Sequence, residues 1–191
     1  DAACLLALAE MIQAPVVMSS NGRGAVSSRH YLAQNMLAGR ELWKDADVIL
    51  AVGTRLSQPL AQWGTDPDWT LIQMDADEEE IGRNHEPTIG ILANAKAGLA
   101  ELVERTGKYN SKRESREDEL TALHGRLDDL LHEIQPQAAF ADAVRAELPD
   151  DGILVAESTQ VGYWSSNGFP VYEPRSYLTS GYQGTLGYGF A

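Results

Sequence analysis

The sequence predicts an α/β fold: a parallel sheet flanked by helices, then a linking helix, then a second, incomplete α/β unit. Three observations carry this. Short apolar runs recur along the 191 residues, and the clearest, Val48–Val52, is uncharged and β-branched at three positions. Segments with helical apolar spacing lie between the runs. Residues such as Gly53, Asp75 and Glu157 close the runs. A strand apolar at every position has no face to give to water. It belongs in a sheet covered on both sides, and Val48–Val52 is expected near the sheet centre.

The elements follow in order. Leu5 to Ile12 has helical spacing, and Pro15 stops it. Val16-Val17-Met18 is the first strand candidate, with the turn Asn21-Gly22 behind it. A short helix fits Leu37 to Lys44, ahead of the strand Val48–Val52. Thr70 to Met74 is a strand ending at Asp75, and Asp77 is read as the N-cap of a short acidic helix start reaching Gly82. Ile89 to Leu92 is a strand, and the helix from Ala93 is expected to close at Gly107. Lys108 to Glu119 is polar and highly charged, so it reads as a linker or an exposed helix start. Leu120, Leu123, Leu127, Leu130, Leu131 and Ile134 then share one helical face, which Pro136 ends. Ala138 to Leu148 is a helix, Pro149 to Gly152 a turn, and Ile153 to Ala156 a strand ending at Glu157.

Hydrophobic residues make up 43% and charged residues 23% of the chain, an ordinary globular composition. The formal net charge of −13 repels phosphate backbones, so no nucleic-acid partner is expected. No apolar run approaches the roughly 20 residues of a membrane-spanning helix, and no membrane partner is expected. Cys4 is the single cysteine, so no intrachain disulfide forms and a reducing, cytoplasmic setting is expected. The first residues lack the basic segment of a secretion signal. The chain opens without Met and closes inside a glycine-rich run from Gly181 to Ala191, and both ends read as cuts in a longer protein.

In open parallel sheets ligands bind where strands end, because helix N-termini and free backbone N–H groups gather there. Gly53-Thr54-Arg55 follows the clearest strand. Glycine admits a ligand to the backbone, and arginine pairs with phosphate or stacks on a flat ring. A surface turn with a solvated arginine explains the same residues. Asp75 could hold a ribose hydroxyl. Glu157-Ser158-Thr159-Gln160 offers hydroxyls and amides to a diphosphate. There is no Gly-x-Gly-x-x-Gly fingerprint and no P-loop. His30, His85, His124 and His132 are scattered and form no zinc-like set with Cys4; His124 and His132, on the linking helix, read as solvated. No catalytic residue and no metal ligand is assigned.

Taken in order, these pieces resemble one family. Ala14-Pro15-Val16-Val17 with Asn21-Gly22-Arg23-Gly24-Ala25 resembles the first strand and loop of the middle domain of thiamine-diphosphate enzymes of the acetolactate-synthase type. Ala46-Asp47, Val48–Val52 and Gly53-Thr54-Arg55 resemble its next segment, and Ile72-Gln73-Met74-Asp75-Ala76-Asp77 before Glu80-Ile81-Gly82 resembles a third. Glu157 to Trp164 resembles the strand end that opens the family's diphosphate-binding domain. Pro174-Arg175, Leu178-Thr179-Ser180-Gly181 and Gly184-Thr185-Leu186-Gly187-Tyr188-Gly189-Phe190 resemble the segment that cradles the aminopyrimidine ring. The resemblance implies a Rossmann-like, nucleotide-binding-like middle domain at 1–107, a linker helix at 108–135, and the N-terminal part of the thiamine-diphosphate-binding domain at 136–191.

It also implies roles. Ser158, Thr159 and Gln160 match positions that meet the cofactor diphosphate. Gly184 matches the residue whose carbonyl accepts from the 4′-amino group, and Leu186 the apolar prop that keeps the cofactor bent. Without the resemblance, Leu186 reads as a buried leucine at a helix start. Ser19, Arg55 and Asp75 match positions around the nucleotide of FAD- or ADP-binding members. The loop from Leu37 to Ala46 is shorter than in FAD-binding synthases, and Asn94 stands where those enzymes often carry aspartate; FAD, ADP and an empty middle domain all stay open. The family's Gly-Asp-Gly…Asn motif for Mg2+ and its activating glutamate match nothing in this chain. The expectation is a fragment of a homodimeric or homotetrameric carboligase or lyase acting on a 2-oxo acid. It would depend on thiamine diphosphate and Mg2+, need the remaining domains of the same protein, and be inactive and cofactor-free alone. Glu157-Ser158-Thr159 also resembles benzoylformate decarboxylases, which makes 2-oxo acid decarboxylation the nearest alternative. A stand-alone adenine-nucleotide-binding module is the alternative of another class.

Overall fold

The computed structural model describes residues 2–111, 113–181 and 184–190. In chain order the elements are α1 (Ala2–Ile12), β1 (Val16–Val17), β2 (Ala33–Gln34), α2 (Met36–Leu42), β3 (Val48–Val52), α3 (Ser57–Gln62), β4 (Thr70–Asp75), β5 (Ile89–Leu92) and α4 (Ala95–Tyr109). There follow α5 (Glu117–His132), α6 (Gln137–Glu147), β6 (Leu154–Ala156), α7 (Gln160–Gly168) and β7 (Tyr177–Thr179). The fold is α/β and Rossmann-like, with parallel strands flanked by helices. The chain forms two compact units: one combines Ala3–Met11 with Arg40–Lys112, the other Ile12–Gly39 with Arg113–Ala191.

In the first unit the parallel sheet runs in the order β3-β4-β5, with Leu50 opposite Ile72 and Met74 opposite Ile91. β4 is therefore central, and it buries Leu71, Gln73 and Met74. This corrects the place expected for Val48–Val52. β3 is an edge of the sheet; Val48 is 53% exposed, and Ala51 alone in the strand is buried. An apolar run suits a strand for covered faces, but it does not decide which strand finds partners on both hydrogen-bonding edges. Helix α4 lies close over β4, where a Cβ on Gly98 would overlap the Met74 thioether. Asn94 caps α4 by accepting from the Lys96 N–H at 2.9 Å. Gly107 does not end α4, which continues to Tyr109. Interior glycine costs only about 1 kcal/mol against alanine. The helix closes at Asn110, whose side chain donates to the Met11 carbonyl at 2.8 Å.

In the second unit β1 pairs in parallel with β2 and β6 with β7. Leu131, Ala138, Ala156, Trp164, Phe169 and Tyr177 belong to one core. Of the apolar face expected on the linking helix, Leu120, Leu127 and Leu131 are buried, whereas Leu130 and Ile134 are exposed. The apolar set is wider than the stripe that the helix's neighbours cover. His132 is also more than a solvated side chain. Its Nδ1 lies 2.8 Å from the Asp128 carbonyl, and its ring stands edge-on to Trp164 at 5.7 Å.

Loop 18–31 is fastened to this core by arginines. Arg23 is buried, donates to the Ser165 carbonyl at 2.6 Å and to the Phe169 carbonyl, and lies 4.2 Å over the Tyr177 ring. Burial pushes its pKa down from the usual value, and Tyr177 offsets this in part. Arg29 forks onto Asp150 at 2.7 and 2.9 Å and stacks on Tyr172. Gly24 has φ +82°, and a Cβ on it would overlap the Glu173 carbonyl, so only glycine fits this turn.

Candidate functional site

The C-terminal end of β6 carries the residues expected at a diphosphate. After buried Ala156 the chain turns through Glu157 and Ser158 to Thr159, which caps α7: its Oγ1 accepts from the Gly162 N–H at 3.0 Å. The turn is tight, since a Cβ on Gly162 would overlap the Glu157 carbonyl. The first-turn amides of α7 have no carbonyl acceptor within the helix. Thr159 takes the Gly162 amide, and the Gln160 and Val161 amides with the Ser158 and Thr159 hydroxyls are donors of the kind an anionic diphosphate accepts from. Gln160 is exposed, and its side-chain carbonyl accepts from Gln137 on α6.

Glu157 joins this strand end to the second expected stretch. Its Oε2 accepts from the Gly189 N–H at 2.9 Å and its Oε1 from the Ser158 N–H at 3.0 Å. Those amides, Gly189 first, hold its carboxyl below the usual carboxylate range, with Gly187 adding to the effect. Gly184 and Gly187 take φ of +55° and +79°, where glycine is favoured. The structure thus brings Glu157 to Gly189 and Gly187, although the sequence separates them. Leu186 lies in a turn and is 77% exposed, not buried at a helix start. Within the same run Tyr182, Gln183 and Ala191 lie outside the described residues. Among the described residues no group of three or more His, Cys, Asp or Glu side chains could hold a metal ion.

In the first unit, Arg55 and Asp75 stand at adjacent strand ends. The turn after β3 uses Gly53 at φ +59°, whose N–H donates to the Met74 carbonyl at 2.9 Å. The Arg55 guanidinium forks onto Glu80, with Nη2 to Oε1 at 2.7 Å and Nε to the other oxygen. Arg83 binds Glu80 as well, at 2.5 Å. The hydrogen bond from Arg55, ahead of that from Arg83, lowers the Glu80 carboxyl below its usual range. Buried Gln73 braces this corner, donating to the Glu80 carbonyl and accepting from the Gly82 N–H, both at 2.9 Å. Asn84 donates to the Arg55 carbonyl at 2.8 Å. Neither bracing residue has a role legible from sequence: Gln73 stands only as part of a resembling strand, and Asn84 reads as an ordinary polar residue. Asp75 folds its Oδ1 onto the Asp77 N–H at 3.0 Å, and Asp77 caps the next turn through the Glu79 N–H, as its sequence position predicts. Asn94 is accounted for by its capping bond to α4. Ser19 is exposed at the entry to the short turn Ser20–Gly22 and belongs to the second unit.

A cavity of about 160 Å³ in the second unit is lined by Arg23, Gln34, Asn35, His124 and Asp128, among others. Gln34 Nε2 donates to the Tyr31 carbonyl at 2.8 Å, while its Oε1 is buried without a partner among the described residues. A polar space of this size has room for the water that such an acceptor needs.

The family model for the central domain of thiamine pyrophosphate enzymes matches residues 2–102. A probable sulfoacetaldehyde acetyltransferase of Rhizobium meliloti (strain 1021) is 30% identical over 97% of this chain and 37% of its own length. The large subunit of acetolactate synthase isozyme 1 of Escherichia coli (strain K12) is 26% identical over 95% of the chain and 34% of its own length. A probable 2-ketoarginine decarboxylase of Pseudomonas aeruginosa is 28% identical over 97% of the chain and 34% of its own length. The chain therefore spans about a third of the length of these curated relatives. With more than half of its residues matched by the central-domain model, this chain belongs to the thiamine pyrophosphate enzyme family.

Proposed function

We propose that the chain is part of a carboligase or lyase that uses thiamine diphosphate on a 2-oxo acid, of the acetolactate-synthase type. The observation that carries this reading is the hydrogen bond by which Glu157, at the end of β6, holds the Gly189 amide beside the Ser158 turn. There the Ser158 and Thr159 hydroxyls and the amides of Gln160 and Val161 would receive the diphosphate. The Gly184 carbonyl would take the 4′-amino group, and Leu186 would support the bend. The bound cofactor would supply stabilisation of a carbanion at the former carbonyl carbon, while the chain's own residues bind and orient it. Mg2+ would accompany the diphosphate, with ligands from elsewhere in the protein. The domain limits at 107 and 136 and a homo-oligomeric assembly belong to the same reading.

The acetyltransferase and the synthase among the relatives favour ligation, and the decarboxylase keeps decarboxylation as the nearest alternative. FAD or ADP at Ser19, Arg55 and Asp75 gains less support. A nucleotide phosphate approaching Arg55 would compete with the Glu80 carboxylate that already holds its fork. The test is turnover by the complete gene product with pyruvate, thiamine diphosphate and Mg2+. Acetolactate is the expected product. Acetaldehyde instead would select decarboxylation, and absence of cofactor-dependent turnover of any 2-oxo acid would reject the reading.

A further inference from the structure

We infer that Glu157 is a positioning residue of the thiamine-diphosphate site: its carboxylate fastens the glycine segment 184–189 to the strand end that takes the diphosphate. The inference rests on the function proposed above. Glu157 follows β6 directly, and its two oxygens work in different directions. Oε1 holds the neighbouring Ser158 N–H at 3.0 Å, and Oε2 holds the Gly189 N–H at 2.9 Å, 32 residues further along the chain. The Gly189 backbone lies against the strand end, since a Cβ there would sit 3.5 Å from the Val155 carbonyl and 3.6 Å from Glu157 Oε2.

Amide-to-carboxylate bonds are roughly twice as strong as neutral ones. Leu186 is 77% exposed, so its side chain adds little burial. Gly184, Gly187 and Gly189 carry a high ordering entropy that some contact must offset. Glu157 acts through the Gly189 backbone, close in sequence to Leu186 and Gly184, so the diphosphate turn and the aminopyrimidine cradle share one anchor. Glutamine in its place keeps a single acceptor and turns an NH2 towards one of the two amides.

Two measurements test this. In the 191-residue chain, NMR should show the Gly189 amide proton following the titration of the Glu157 carboxyl. Glu157→Gln should abolish that response. In the complete gene product with Mg2+, Glu157→Gln and Glu157→Ala should raise the Kd for thiamine diphosphate about tenfold. Glu157→Asp, which keeps the charge, should recover part of the loss, and the 2-oxo acid KM at saturating cofactor should stay within about twofold. A Gly189 amide indifferent to Glu157 overturns the inference, as does unchanged cofactor affinity in the variants of a wild-type protein that binds. If the wild-type protein itself binds no thiamine diphosphate, the functional reading falls and takes the inference with it.

Discussion

Two glycines and a histidine show how far single residues depend on their surroundings. Gly24 sits at φ +82° with the Glu173 carbonyl where a Cβ would lie, whereas nothing lies within 4 Å of a Cβ placed on Gly125 in α5. Gly24→Ala should therefore destabilise the protein by about 2 kcal/mol or more. Gly125→Ala should stabilise it by roughly 0.5–1 kcal/mol through helix propensity. Urea melts of the two variants, shifting in opposite directions, check this. His132 makes a pH-dependent contribution. The Asp128 carbonyl first, then the charges of Asp128 and Asp142, raise its pKa above the usual histidine value. A group with a raised folded pKa contributes fully below its unfolded value and loses the contribution as pH rises through the folded one. The Tm gap between wild type and His132→Gln should therefore be wider at about pH 5.5 than at about pH 9. An equal gap at both would mean that the imidazolium contributes nothing.

At the scale of elements, burial follows sheet position more than composition. Leu71 is 2% exposed on the central strand β4, while Leu50 is only half-buried on the edge strand β3. Leu71→Ala should cost on the order of 2–5 kcal/mol, and Leu50→Ala clearly less; equal costs in denaturant melts would contradict the assigned strand order. The bounds of β3 and β5 were legible because each is a short apolar run closed by a turn or a cap. β2 was not, because Ala33-Gln34 has no strand preference of its own and exists through pairing with β1. Helix α7 was hidden for a related reason: Gly162, Ser165, Ser166 and Asn167 are weak helix formers, and its start depends on the Thr159 cap. The linking helix was legible as an element, but how much of its apolar face is covered was not.

For the molecule as a whole, the decisive expectation concerns what this chain does by itself. Calorimetry of the 191 residues with thiamine diphosphate and Mg2+ should show no tight binding, because a diphosphate needs its metal and the described residues offer no cluster to hold one. Submicromolar affinity would show that the site is placed wrongly. The sequence by itself determined the α/β class, most of the longer strands and helices, and the family, since apolar periodicity and turn chemistry are local codes read a few residues at a time. It also marked Ser158, Thr159, Gly184 and Leu186 through their resemblance to family motifs. Only the tertiary structure decided that β4 rather than β3 is central and that 12–39 joins 113–191 in one compact unit. It alone showed that Arg55 meets Glu80 and that Glu157 meets Gly189. Those outcomes rest on hydrogen-bond partners and packing neighbours far apart along the chain. No local pattern encodes which distant amide or guanidinium arrives, because that depends on the path of every element between them.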